Sequence, residues 1–238
     1  MTIDRFSAKF SRRTFLSVGT GAIAAGLTTN LLIPSQSLAA TLTESAITIS
    51  ADQALKLLVK GNQRYVLHKL SYPHADQKRL LEVANGQTPF AVILSCADSR
   101  VPPELVFDQG LGDLFVVRVA GNILDNAVLG SIEYAAQNLN VPLVMVLGHE
   151  RCGAVTAAVK GGKVAAHIDS LVKAIQPAVE QAKGKSGDLL DNAVRANVQL
   201  VVEKMSVSEP LASLVENQKL KIVGGRYDLD TGTVEIIA

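Results

Sequence analysis

Four short, mostly apolar runs constrain the fold of this 238-residue chain more than any other feature. Such runs are typical of strands that are buried on both faces of a sheet. They lie at residues 90–95, 114–119, 143–147 and 220–223. Segments with helical periodicity separate them, and parallel strands need such helical crossovers. The sequence therefore predicts an α/β fold with a mainly parallel sheet flanked by helices.

The segments around these runs indicate helices and one further strand. Ser50 and Gln53 match a capping box, and apolar residues at helical spacing follow, which predicts a helix from residue 51 to about 68. Further helices are predicted at residues 75–84, 127–139 and 189–205. Residues 227–236 have a hairpin pattern that predicts a C-terminal antiparallel edge strand. We find no linker and no internal repeat, so we expect one domain at residues 40–238.

Residues 1–39 have the features of a twin-arginine export signal. Arg12 and Arg13 precede a charge-free stretch at residues 16–33, and Ser37 and Ala39 suit a peptidase that cleaves after Ala39. The alternative is a retained membrane helix, but glycines and polar residues interrupt the stretch. We expect cleavage with no stable membrane insertion afterwards, and a location in the periplasm or, in a photosynthetic cell, the thylakoid lumen.

Composition excludes several classes of partner. The 23 basic and 22 acidic residues leave a net charge of +1, so the chain offers no polycation for nucleic acid. Aromatic residues make up 4% of the chain and Trp is absent, which argues against stacking platforms for sugars or bases. Two cysteines are too few for a disulfide scaffold, but they suffice for one bridge or two metal ligands.

Cysteine and histidine side chains follow two of the predicted strands. Cys96 comes just past the first strand, and His149 and Cys152 come just past the third, beside the start of a helix. The carboxyl ends of neighbouring parallel strands face one crevice, so the three residues can converge there. Two thiolates and an imidazole suit Zn²⁺, and three protein ligands leave a fourth position open, as in catalytic zinc sites. The sequence thus predicts one zinc ion per chain.

Asp98 and Arg100 follow the first cysteine at the edge of this predicted site. Two roles are open for Asp98. It could close the zinc as a fourth ligand, or it could pair with Arg100 and accept a hydrogen bond from a zinc-bound water. Zinc lowers the pKa of such a water to about 7, so in the second role Asp98 would orient hydroxide toward an electrophile.

Two interpretations without a metal are also open. Cys96 and Cys152 could form a disulfide in an exported protein, although a bridge has no use for His149, Asp98 or Arg100. A redox pair is disfavoured because the two cysteines lack the C-x-x-C spacing.

Residues 96–100, Cys-Ala-Asp-Ser-Arg, and residues 149–153, His-Glu-Arg-Cys-Gly, together resemble the signature of the β-class carbonic anhydrases. The resemblance extends from about residue 50 to the C-terminus. It implies zinc held by the two cysteines and the histidine, an aspartate–arginine dyad, and reversible hydration of CO2 to bicarbonate and a proton by zinc-bound hydroxide. It also implies a homodimer, or a dimer of dimers, with the active site at the subunit interface.

The resemblance also implies roles in substrate binding. Gln87 matches a glutamine that donates a hydrogen bond to bound bicarbonate, while Phe115 and Tyr134 match aromatic residues that line an apolar CO2 pocket. Such a pocket makes physical sense, because CO2 has no net charge and the product anion needs a donor.

Position 93 differs from one group of family members. Those proteins close the zinc with the aspartate and bind bicarbonate at a regulatory site that includes a Trp, where this chain has Ile93. We therefore expect the open form, in which Asp98 is bound to Arg100.

Two further functions are alternatives to CO2 hydration. The same ligands would serve a hydrolase of carbonyl sulfide or carbon disulfide, because both are linear molecules open to hydroxide attack. The other is a non-catalytic zinc- or bicarbonate-binding protein, although zinc binding alone would not need the Asp98–Arg100 pair.

Overall fold

The computed structural model describes residues 49–238, so the predicted signal at residues 1–39 lies outside the described residues. Five strands form one sheet in the order β2-β1-β3-β4-β5. β1 to β4 run parallel, and β5 pairs with β4 in the antiparallel direction. The strands are β1 Ala91–Ser95, β2 Leu114–Arg118, β3 Leu143–His149, β4 Lys221–Tyr227 and β5 Val234–Ile236. This confirms the predicted mainly parallel sheet with a C-terminal antiparallel edge strand.

Helices connect the strands and cover the sheet. They are α1 Ala51–Val66, α2 Gln77–Val83, α3 Pro103–Val106, α4 Asn126–Asn138, α5 Gly153–Lys160, α6 Ile168–Ala182, α7 Leu189–Ser206 and α8 Leu211–Glu216. A short 3-10 turn at Ala120–Asn122 follows β2. No helix in residues 49–238 is long and apolar enough to cross a membrane.

The helix starts follow local capping chemistry. The Ser50 side chain accepts from the Gln53 amide while the Gln53 side chain accepts from the Ser50 amide, which completes the predicted capping box of α1. α1 ends at Val66, two residues before the predicted end, and His68 has a positive φ of 54°. α2 is shorter than the predicted helix at residues 75–84, because Asp76 caps it and fixes its start at Gln77.

The two faces of the sheet carry separate halves of the core. Val92 and Leu94 of β1 pack with apolar residues of α4 and α7, whereas Ala91 and Ile93 pack with residues of α1 and α3. This division follows from the alternation of side chains along a strand. All five residues of β1 are buried, which explains why its sequence is a continuous apolar run.

A third apolar cluster lies at the carboxyl edge of the sheet, where α5, α6 and α7 pack together. It contains Cys96 and Cys152, and its buried apolar residues include Ile175 and Val179 of α6 and Val194 of α7. The two predicted cysteine ligands therefore lie among apolar side chains and are shielded from water.

Candidate metal centre

Three donor side chains converge where β1 and β3 end side by side. Cys96 follows β1, His149 is the last residue of β3, and Cys152 is the N-cap of α5. Their sulfur and ring nitrogen atoms all lie within 4.8 Å of one another, and the three residues are buried. β1 and β3 are neighbours with Ser95 opposite Leu147, so the sheet brings the ligands together. The convergence matches the prediction, but His149 lies within β3 and not past its end.

The ring of His149 is oriented for a ligand at one nitrogen. Nδ1 is 2.9 Å from the carbonyl oxygen of Glu150, which favours a proton on Nδ1 and a free lone pair on Nε2. Nε2 is buried and has no hydrogen-bond partner among the described residues. A buried polar atom without a partner is costly, and a metal ion would satisfy it. The donor set, two sulfurs and one imidazole nitrogen, is one that zinc prefers.

Both cysteines are free thiols, so the structure does not contain the alternative disulfide. A hydrogen bond from the Cys152 thiol is the main reason that the pKa of Cys96 falls to about 4, and the Gly121 amide, 3.3 Å from Cys96 Sγ, contributes. The pKa of Cys152 is raised by the same hydrogen bond, by burial and by the charge on Cys96. Cys96 is therefore the sulfur that loses its proton more readily, and the thiolate is the form that binds a cation.

Asp98 is fully engaged by Arg100. The Arg100 Nε and Nη2 atoms donate to the two carboxylate oxygens at 2.9 and 2.8 Å, and the Arg100 amide donates at 2.9 Å. Hydrogen bonding from Arg100 holds the pKa of Asp98 well below its usual range, so Asp98 is ionised at neutral pH. Its Oδ2 lies 3.8 Å from His149 Nε2, beside the three donors and outside their group.

Arg118 holds the loop that carries Cys96 and Asp98, a contact that sequence reasoning missed. Its Nε donates to the carbonyl oxygen of Cys96 at 2.9 Å, and its Nη2 donates to that of Asp98 at 2.6 Å. Arg118 ends β2 directly opposite Ser95. Its place at the end of a strand beside β1 could have signalled the contact, but its acceptors are main-chain atoms that the sequence does not identify.

The three residues assigned to substrate binding lie away from the cluster within one chain. Phe115 and Tyr134 form a tilted aromatic pair with ring centroids 6.4 Å apart, and Tyr134 is 49% exposed. Phe115 is opposite Val92, four residues before Cys96, which corresponds to roughly 13 Å along the strand. Gln87 is exposed and precedes β1, at the opposite end of that strand from Cys96. A single chain therefore does not bring these residues to the donors.

A second group of acidic side chains, Glu150, Asp228 and Asp230, lies nearby. Arginines neutralise this group: both terminal nitrogens of Arg151 contact Asp230 at 2.7 and 2.9 Å, and Arg226 contacts Glu150 at 3.2 Å. These ion pairs make it a structural network between β3, β4 and the C-terminal hairpin.

A buried set of two cysteines and one histidine, with an aspartate–arginine pair beside it at the carboxyl edge of a parallel sheet, defines a zinc-dependent α/β protein. A family model described as carbonic anhydrase matches residues 91–234. The chain therefore belongs to the carbonic anhydrase family.

Known relatives agree with this assignment. Carbonic anhydrase 2 of Mycobacterium tuberculosis is 42% identical over 184 residues, which cover 75% of this chain and 89% of the relative. A β-carbonic anhydrase from Coccomyxa, solved with acetazolamide, has a TM-score of 0.63 and 26% identity over 77% of this chain and 86% of that one.

The fold is also shared with a more distant structure, one of two tetrameric β-carbonic anhydrases from Sordaria macrospora. Its TM-score is 0.64 at 20% identity, over 77% of this chain and 96% of that one. The architecture of the sheet and its helices is thus that of the β class.

Proposed function

We propose that this chain catalyses the reversible hydration of CO2 to bicarbonate and a proton. The observation that carries the proposal is that the sulfur atoms of Cys96 and Cys152 lie within 4.8 Å of the buried His149 Nε2 atom, with the ionised Asp98 alongside. This nitrogen has no hydrogen-bond partner within residues 49–238. Membership of the carbonic anhydrase family supports the same reaction.

The chain would hold one zinc ion through the two sulfur atoms and the ring nitrogen. Zinc, when bound, supplies a Lewis acid that makes hydroxide available at neutral pH. The apolar cluster around Cys96 and Cys152 excludes bulk water and strengthens each electrostatic interaction at the centre.

Asp98 would act as a hydrogen-bond acceptor that orients the nucleophile. Arg100 holds both carboxylate oxygens, which keeps Asp98 ionised and away from the role of fourth ligand. A fixed acceptor of this kind sets the direction of the O–H bond of the attacking oxygen, so that its lone pair faces CO2. This arrangement favours the open form of the site over a form closed by Asp98.

Gln87, Phe115 and Tyr134 would complete the site from a second copy of the chain. Because they lie far from the donors within one chain, a homodimer or a dimer of dimers would let them line an apolar CO2 pocket and donate to bicarbonate. The neighbours from Sordaria macrospora are described as tetrameric, which agrees with such an assembly. Sedimentation of the zinc-loaded protein tests this point: full activity in a stable monomer would contradict it.

A second part of the proposal concerns location. The twin-arginine pattern at Arg12 and Arg13 would direct the folded protein to the periplasm, or to the thylakoid lumen of a photosynthetic cell, with cleavage after Ala39. Replacing both arginines by lysine should retain the protein in the cytoplasm with its signal attached. Export of this variant at the normal rate would refute the assignment.

Stopped-flow hydration of CO2 by the zinc-loaded protein tests the function directly. We expect rapid hydration that a chelator abolishes and added zinc restores. Parallel assays with carbonyl sulfide and carbon disulfide distinguish a sulfur-directed hydrolase, and zinc binding without turnover of any of the three substrates would indicate a binding protein.

A further inference from the structure

The 3-10 turn at Ala120–Asn122 connects one of the metal-binding sulfurs to helix α7. On one side of the turn, the Gly121 amide donates to Cys96 Sγ at 3.3 Å. On the other side, the Gly121 carbonyl oxygen accepts from Asn197 Nδ2 at 2.9 Å. We propose that Asn197 is a positioning residue of the metal centre, which holds Gly121 so that its N–H points at the Cys96 thiolate.

Gly121 can make this contact only in the conformation that it adopts. Its φ is 74°, in the left-handed region that favours glycine. A Cβ atom at this position would lie 2.7 Å from Ile175 Cδ1 and 3.0 Å from Ala154 Cβ. The turn is therefore confined between α5 and α6, and the hydrogen bond from Asn197 fixes it from the side of α7.

Asn197 lies where the helix otherwise presents apolar residues. It is 2% exposed, and Ala193, Val194 and Val201 of the same helix are also buried. An amide in such a stripe costs free energy unless it is hydrogen-bonded, whereas an apolar residue of similar size would cost nothing of this kind. The contact with the turn explains why a polar side chain is found here. The same turn carries the Gly121 amide that donates to Cys96 Sγ.

The effect of Asn197 on the sulfur is positional. The N–H and the C=O of Gly121 belong to different peptide units, so the amide of Asn197 does not polarise the donor of the thiolate contact directly. It sets the orientation of that donor instead. A hydrogen bond to a ligating thiolate reduces the charge that the sulfur gives to the metal and makes the metal a stronger Lewis acid.

This inference rests on the metal centre of the proposed function and not on its CO2 chemistry. Two consequences follow from loss of the Asn197 hydrogen bond. Metal affinity should fall by about 10-fold, at the lower end of the range for partners that orient metal ligands. The pH profile of CO2 hydration should move to higher pH, because a sulfur that gives more charge to the metal leaves the metal less acidic.

Cobalt(II) in place of zinc provides a readout that is separate from activity. Asn197→Leu keeps the size of the side chain and removes the donor. We expect a shifted thiolate-to-cobalt charge-transfer band and, by competition with a chelator, weaker cobalt binding. Asn192→Leu is the matched control, because Asn192 lies on the same helix and donates to the Ser186 carbonyl at 2.9 Å, a contact that involves neither a metal ligand nor the 3-10 turn. Its band and affinity should equal those of the wild type.

An unchanged band and an unchanged cobalt affinity in folded Asn197→Leu would overturn the proposal. If this variant does not fold, cadmium-113 NMR carries the test with Asn197→Ser, a truncation that adds no bulk to the core. The Gly121 amide proton should couple to cadmium through Cys96 Sγ in the wild type and couple less in Asn197→Ser, and equal couplings would reject the proposal. Weaker cobalt binding in Asn197→Leu together with a wild type that does not hydrate CO2 would support the positioning role and reject the proposed function.

Discussion

At the scale of single residues, Asp98 decides whether the metal centre keeps an open coordination position. Arg100 occupies both of its carboxylate oxygens, while Oδ2 is only 3.8 Å from His149 Nε2. The carboxylate therefore lies next to the donors, and the guanidinium of Arg100 holds it there. Its low pKa means that it remains a hydrogen-bond acceptor across the neutral range.

Asp98→Asn separates the roles of acceptor and ligand. We expect kcat for CO2 hydration to fall by roughly 10²–10³-fold, because the amide pairs poorly with Arg100 and no longer orients the nucleophile. Zinc content should stay at one per chain in metal analysis of the same sample. Asp169→Asn is the control, since Asp169 pairs with Lys173 at 2.7 Å on the exposed face of α6. Loss of zinc from Asp98→Asn would instead make Asp98 a ligand.

The sequence identified the donor residues but not the atoms that support them. Cysteine and histidine residues at the ends of apolar runs can be recognised in a sequence as candidate metal ligands. The side chain itself carries the ligand atom, and a parallel sheet brings the ends of its strands together. Gly121 acts through its own main-chain N–H, which donates to Cys96. Arg118 acts on main-chain carbonyl groups, those of Cys96 and Asp98. Asn197 contacts a residue 76 positions away, which requires the packing of α7 to be known.

At the scale of elements, the parallel pairing of β2, β1 and β3 positions the site. β3 places His149 beside Cys96, and β2 places Arg118 where it reaches the loop after β1. The two carbonyl groups that Arg118 holds belong to Cys96 and Asp98. The Arg118 side chain thus fixes the positions of Cys96, a predicted metal ligand, and Asp98, the proposed hydrogen-bond acceptor, relative to the sheet.

Arg118→Leu should loosen this loop. We expect zinc affinity to fall by about 10-fold, because a partner that orients a ligand is lost while the ligand itself remains. Arg79→Leu is a suitable control, since Arg79 also donates to a loop carbonyl, that of Leu111 at 2.8 Å, but not at the metal centre. Competition with a chelator measures the zinc affinity of both variants. Equal zinc affinities of Arg118→Leu and Arg79→Leu would contradict the role given to Arg118.

The strands were predicted more accurately at their starts than at their ends. β4 continues to Tyr227, although its apolar run stops at Val223, because Gly224 and Gly225 interrupt the pattern without breaking the pairing with β3. Opposite them, β3 extends to His149 through its pairing with Tyr227. Main-chain hydrogen bonds between strands fix these ends, and a hydrophobic pattern in one strand does not report them.

At the scale of the whole molecule, the proposed catalytic centre would combine a part built by one chain with a part contributed by a second copy. The donors, Asp98 and Arg100 come from one carboxyl edge of one sheet. Phe115 and Tyr134 lie toward the other end of the β1–β2 pair, and their separation from Cys96 is a property of the register. Sequence similarity could assign them to a pocket, but only the fold shows that one chain does not place them beside the donors.

Titration of the metal-free protein with zinc, while CO2 hydration is followed by stopped flow, tests the central claim most directly. We expect activity to rise in proportion to added zinc and to stop rising at one zinc per chain, because residues 49–238 offer one set of two sulfurs and one imidazole nitrogen for zinc. Cys152→Ser, which removes one donor, should show no such rise at the same zinc concentrations. Full hydration activity without zinc, or a saturated site without activity, would contradict the account.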